Sequence, residues 1–441
     1  MKQADFLYPT GRELSRRDLL HGASVGIGAS MLGVLSPARS LAEQGQQHYP
    51  TLGIRKPSLA SIPIAWSNNE FHRRWNALRK RMNEAKLDCL IVPQHSHTDL
   101  VVDYYKNEAD VYWLAGYPAT WVVFPIEGKI TVIGGAKPHR GVFIEKRPVP
   151  GIIMTTLFAD NSPDIELWPG PAPWSSCIID VLRERKMEQA RIGVGSLGGE
   201  FRGLDGSVSY TALDRIRKAF PQAQFEDAVD MLWQVKLVNS AEEIAVFEHI
   251  AAVSEAGLLA MFKTAHPGAV NRDVWLSMYG AMLECSGSRP QHLVISTQEF
   301  AGANVGSPLP DTIDSGQILG QECAGCVLGY GAQVNHSVLI GSEGPADWPA
   351  AARNCIDVFH ALLDRIAPGK SFKEVGDFAR EKQLLGGVNF HFSGYGDLPR
   401  FGPRLAQGTE DAVFQPGMVF DLKPAIGVKG TPILAQFGDP I

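Results

Sequence analysis

Cysteine is scarce: six residues in a chain of 441. So few, spread so widely, do not form the disulfide framework of a small secreted scaffold. Only Cys323 and Cys326 lie close together, and one C-x-x-C lacks the second pair of a structural zinc site. They are expected to be buried or hairpin thiols. A basic excess is also missing. Forty-one Lys and Arg face forty-seven Asp and Glu, for a net charge of −6, which argues against nucleic-acid binding and strong anionic-membrane binding. No run of eighteen apolar residues suggests a stable membrane span. The sequence has no P-loop, no G-x-S-x-G elbow and no H-E-x-x-H. Gly193-Val194-Gly195-Ser196-Leu197-Gly198 imitates a dinucleotide fingerprint, but more glycine follows it instead of a helix, so it reads as a loop. No internal repeat is visible.

What is present begins with an address. Ser15-Arg16-Arg17-Asp18-Leu19-Leu20 is a twin-arginine pattern, Gly22 to Ser36 is a short apolar run, and Ser40-Leu41-Ala42 offers a cleavage site. Residues 1–42 therefore read as an export signal and the mature protein as periplasmic, with a charge of −8 once the segment's +2 is removed. Residues 43–67 form an extended lead-in.

Beyond it the chain reads as α/β. Phe71, Trp75, Leu78, Met82 and Ala85 recur at helical steps, with Arg73, Arg74, Arg79 and Lys80 mostly off that stripe. Cys89–Pro93 is a short buried strand, and a hairpin turns at Glu127-Gly128. Helix 175–187, strand 191–194 and helix 208–219 complete the first half. Ser240-Ala241-Glu242-Glu243 is a capping box that opens a long helix to about Ala265. A second helix starts at Asn271, followed by a strand at His292–Thr297. A hairpin is expected from 317–328 and 330–340, turning near Gly325 or Gly329, then helices at 349–366 and 371–383 and a strand-rich end.

Four segments in this order resemble the pita-bread family of Xaa-Pro aminopeptidases, prolidases, methionine aminopeptidases and creatinase. They are Asp110-Val111-Tyr112-Trp113-Leu114-Ala115-Gly116-Tyr117, Lys236-Leu237-Val238-Asn239-Ser240-Ala241-Glu242-Glu243, Gly329-Tyr330, and Gln415-Pro416-Gly417-Met418-Val419-Phe420. The resemblance implies a creatinase-like N-terminal domain at 68–232 and a pita-bread domain at 233–441. It also implies a homodimer like those of larger members.

Family peptidases hold two divalent metals with two Asp, one His and two Glu, a set of hard oxygens and one imidazole that activates a bridging water. By spacing, those positions fall here on Glu322, Gln333, Tyr395, Lys423 and, within a residue or two, Gln436. A cation and neutral amides are poor ligands for a dication, so no metal and no other cofactor is expected. Creatinase is the relative that works without metal. One of its glutamates would fall at Asn335 and another at Lys423, and its histidine before the first hairpin has no counterpart here. His391, four residues before Tyr395, matches a substrate-binding His of aminopeptidase P-type members, and His336 lies three after Gln333.

The resemblance therefore points to Glu322, His391, Tyr395 and Lys423 as an acid/base set, with Gln333, Asn335, His336 and Gln436 holding substrate. If Glu322 and Lys423 face each other they form an ion pair, either catalytic or a structural replacement for the metals. The favoured reading is a metal-independent enzyme acting on a small polar molecule or short peptide, with C–N hydrolysis as the family default. A non-catalytic binding protein and a conventional metallopeptidase are the alternatives.

Overall fold

The protein is described by a computed structural model covering residues 66–93, 109–115, 121–133, 164–168, 173–198, 206, 208–286, 289–297, 311–327, 330–382, 413–429, 431 and 433–441. The export segment, Tyr117, His391 and Tyr395 lie outside the described residues.

Two six-stranded sheets carry the chain. The first contains β1 (Cys89–Pro93), β2 (Trp121–Pro125), β3 (Ile130–Ile133), β4 (Ile165–Trp168), β5 (Arg191–Val194) and β6 (Gln224–Asp227). Its order is β4-β3-β2-β1-β5-β6, with β1–β2 and β2–β3 antiparallel and the outer pairings parallel. Helices α1 (Asn68–Ala85), α2 (Ala109–Ala115), α3 (Trp174–Glu184), α4 (Tyr210–Ala219) and α5 (Val229–Lys236) accompany it. Gly128, at φ 89°, supplies the expected β2–β3 turn. Strands β4 and β6 had no alternating or apolar signature strong enough to announce them. β4 lies within a proline-rich stretch, between Pro163 and Pro169, and β6 is a polar edge.

Ser67 caps α1, its side chain accepting from the Glu70 N–H at 3.1 Å. Phe71, Trp75, Leu78 and Met82 are buried as the stripe predicts, but so is Arg74, which is fully enclosed. Its guanidinium lies 4.2 Å above the Trp66 ring, donates to Glu70 Oε1 at 2.5 Å and to the Trp113 carbonyl at 3.1 Å. A residue type that periodicity assigns to solvent is thus buried because carboxylate, carbonyl and rings surround it.

The second sheet is built from β7 (His292–Ser296), β8 (Ile318–Val327), β9 (Tyr330–Leu339), β10 (Asp421–Leu422), β11 (Ala425–Gly427) and β12 (Leu434–Pro440). Its order is β10-β12-β9-β8-β7, with β11 also on β12, and every pairing is antiparallel. Gly325 is paired with Ala332 inside the β8–β9 ladder, so the hairpin turns after Val327.

Helices α6 (Ala241–Thr264), α7 (Asn271–Ser286), α8 (Trp348–Leu363) and α9 (Phe372–Glu381) cover one face of this sheet. Val253, Leu258 and Met261 of α6 meet Met278 and Met282 of α7 over Leu293, Leu319, Cys323 and Val334. Phe359 of α8 packs edge-on to Phe437 of β12, ring centroids 4.9 Å apart. By length and composition α6 is apolar enough to cross a membrane, yet most of it is buried among these partners. Cys323 and Cys326 stand on opposite faces of β8, since they are three positions apart on a strand of period two. Cys323 Sγ lies in the core, 3.2 Å from Met282 Sδ, where burial pushes its thiol pKa up. The pair cannot chelate a metal together.

Candidate functional site

Register alone builds the site. Val294 pairs with Glu322, Glu322 with Asn335, and Asn335 with Gly438. The pairings Leu422–Asp439 and Ala425–Gln436 continue to Lys423 opposite Gly438. These residues thus form one row across the sheet. A methyl group placed on Gly438 would lie 2.7 Å from Lys423 Cγ and 3.2 Å from Asn335 Cβ. Gly438 is the gap that lets the Lys423 stem cross β12, and Lys423 and Asn335 therefore share the face opposite the helices. Side-chain alternation adds His292, Glu322, Gln333 and Gln436 to the same face.

The expected Glu322–Lys423 ion pair does not form. Their backbones stand three strand spacings apart in the row, on the order of 14 Å. Lys423 Nζ, 3% exposed as a residue, instead donates to Gln333 Oε1 at 2.8 Å, diagonally along β9. Among the described residues no carboxylate lies within ion-pair distance of it. Glu322 turns the other way, its Oε2 3.0 Å from His292 Nε2. The Gln333 backbone N–H donates to Asp421 Oδ1 at 3.1 Å, which ties β10 to β9 and fixes the segment leading to Lys423.

His336 is also misplaced by the sequence reading. It pairs with Gln321 and Phe437, one residue off the row, and so points to the helix-covered face. Its ring packs against Phe437 at 4.7 Å between centroids. Burial without a partner for Nδ1 holds its pKa down, at about 4. It cannot touch a molecule bound over Lys423. Gln333, Asn335 and Gln436 stand with Lys423 and Glu322 on one face.

Two acceptors on this face, Asn335 Oδ1 and Gln436 Oε1, are buried with no hydrogen-bond partner among the described residues. Asn335 Nδ2 points at the Gln321 carbonyl, 3.5 Å away, which leaves Oδ1 as the free end. His292 and Asp421 are the residues that sequence reasoning missed. Alternation in His292-Leu293-Val294-Ile295-Ser296 puts His292 and Val294 on a common face, but only the register shows that Glu322 is there too.

The arrangement offers a histidine–carboxylate pair at one end of the row, unpaired amide oxygens in the middle and an ammonium at the other end. It does not fit a dinuclear metal. Among the described residues no three of His, Cys, Asp and Glu cluster to hold an ion, and Lys423 with its Gln333 partner occupies two of the positions where anionic ligands are required.

Residues 245–440 match metallopeptidase family M24. The protein named "Uncharacterized hydrolase/peptidase y4tM" of Sinorhizobium fredii is 23% identical over 395 residues, covering 84% of this chain and 92% of that one. The second, y4tL of the same organism, is 23% identical over 328 residues, covering 71% of this chain and 76% of that protein. Among solved structures, the Xaa-Pro dipeptidase from Bacillus anthracis superposes with a TM-score of 0.63 at 14% identity, over 84% of this chain and 94% of that one. The dipeptidase PepE from Mycobacterium ulcerans gives 0.61 at 17% identity, over 85% and 94%.

Proposed function

We propose that this chain, which belongs to the pita-bread family through residues 245–440, is a hydrolase whose chemistry at the second sheet runs on proton transfer without a metal. One observation carries the reading: the buried Lys423 ammonium bonded to Gln333, at positions where the family's metal ligands would stand by spacing. An ammonium repels a dication at contact distance, while proton transfer at a histidine–carboxylate pair needs no metal.

His292 and Glu322 have the geometry for that work. The hydrogen bond to Glu322 Oε2 uses His292 Nε2 and orients the ring. Such a pair can accept a proton from an attacking water and return it to a leaving nitrogen, the two halves of C–N hydrolysis. In this reading Asn335, next to Glu322 in the row, holds the substrate between that pair and Lys423. Tyr395 and His391 complete the acid/base set in this reading by family position alone. The substrate is a small polar molecule, in keeping with creatinase-like rather than peptidase chemistry.

The test is a screen of small amides, ureido compounds, guanidino acids and dipeptides after exhaustive chelation. Turnover that survives chelation and falls at least about a hundredfold in His292→Gln, in the range removal of a general base produces, agrees with the proposal. Activity that chelation abolishes and Mn²⁺ restores contradicts it. A folded protein that binds such compounds and turns none over would favour a binding role.

A further inference from the structure

The row of residues also says what kind of molecule it holds. Lys423 has three N–H donors, and among the described residues the one hydrogen bond it makes is to Gln333 Oε1. No carboxylate among the described residues forms an ion pair with it, although the residue is only 3% exposed. A buried cation with donors to spare and no ion-pair partner is incomplete. Asn335 Oδ1, fully buried, and Gln436 Oε1 are incomplete in the opposite sense: both are acceptors without donors among the described residues.

Resting on the reading above, we infer that Lys423 is the anchor of a carboxylate subsite, and that the bound molecule carries an N–H group beside its carboxylate for Asn335 Oδ1. The charge balance selects the anion. One ammonium offsets one negative charge, and Asp421 on β10 and Glu322 farther along the row are both acidic, which disfavours a dianion such as phosphate. The flat two-oxygen end of a carboxylate can take the remaining Lys423 donors while its neighbouring N–H meets Asn335. Lys423 in this role binds and orients; it moves no proton. The ligand then extends along the row from Lys423 toward the His292–Glu322 pair.

The experiment is a binding measurement on the full chain, by thermal shift and calorimetry, with N-acetylglycine, its neutral analogue N-acetylglycinamide, and inorganic phosphate. Saturable stabilisation by N-acetylglycine and none by the amide is expected. Lys423→Met should weaken N-acetylglycine binding about tenfold or more, equivalent to at least about 1.4 kcal/mol, and Lys423→Arg should retain most of it. An equal response to the acid and the amide overturns the inference, as does tighter binding of phosphate or unchanged affinity in Lys423→Met. The comparison of acid with amide uses the unaltered protein, so a variant that misfolds does not remove the test. Binding needs no turnover: a catalytically silent protein that still prefers the acid would fail the proposed hydrolase while keeping this subsite, and an active metal-free enzyme indifferent to charge would do the reverse.

Discussion

His336 shows how one residue's position in a ladder decides its chemistry. It stands one step from Asn335, and that step moves it from the open face to the packed one, where Phe437 covers it. Its pKa is pushed down from 6.5 to about 4. The unfolded chain therefore takes up this proton first as pH falls, and stability is lost across the window from about 6.5 to about 4, by roughly 3 kcal/mol in all. His336→Leu should flatten that part of the acid-unfolding profile, and urea unfolding at pH 7 and pH 4.5 measures it. An identical acid loss in the variant would show that other groups, such as the buried His249, whose pKa burial also lowers, carry the whole effect. Lys423 gives the complementary lesson. Its spacing identified it, but its partner came from the diagonal neighbour on β9, and the sequence alone could not choose between Gln333 and Glu322.

At the scale of elements, the start of α6 is the joint between the two sheets. Ser240 and Glu243 exchange the two hydrogen bonds of a capping box, at 2.8 and 3.2 Å. Glu243 also receives Arg73 at 2.6 Å, Arg74 at 3.3 Å and the Tyr330 hydroxyl at 2.6 Å. One carboxylate thus links α1, α6 and the first residue of β9. Ser240→Ala removes only a cap and should cost about 1 kcal/mol. Glu243→Ala leaves Glu70 as the one carboxylate beside buried Arg74 among the described residues and takes the Tyr330 hydroxyl's acceptor away, and should cost about 3–5 kcal/mol. Equilibrium unfolding distinguishes them; equal effects would mean that Glu243 matters only as a cap.

The capping box and the long helix were legible because local hydrogen bonding and period write them into adjacent residues. The hairpin that carries Glu322 and Asn335 was legible for the same reason. Its cross-strand partners were not, since they depend on how β12 and β7 join from far along the chain. Strands β4 and β6 left no local mark, and the burial of Arg74 depends on Trp66, Trp113 and Glu243, three separate segments.

Over the whole molecule, the fold and the row of residues point in different directions. The architecture is that of Xaa-Pro dipeptidases over most of its length, whereas the face that would hold metals presents an ammonium, three amides and a histidine–carboxylate pair. A fold can persist while its site changes chemistry, because the ladder positions are set by the sheet and not by the ions. The central claim is that this face is built for an organic anion and proton transfer instead of divalent metal. Elemental mass spectrometry tests it most directly, on protein purified without added metal and again after dialysis against Mn²⁺, Zn²⁺, Co²⁺ and Fe²⁺. The account predicts well under one equivalent of any metal per chain in both samples; one or two tightly held equivalents, lost when Glu322 is replaced, would contradict it.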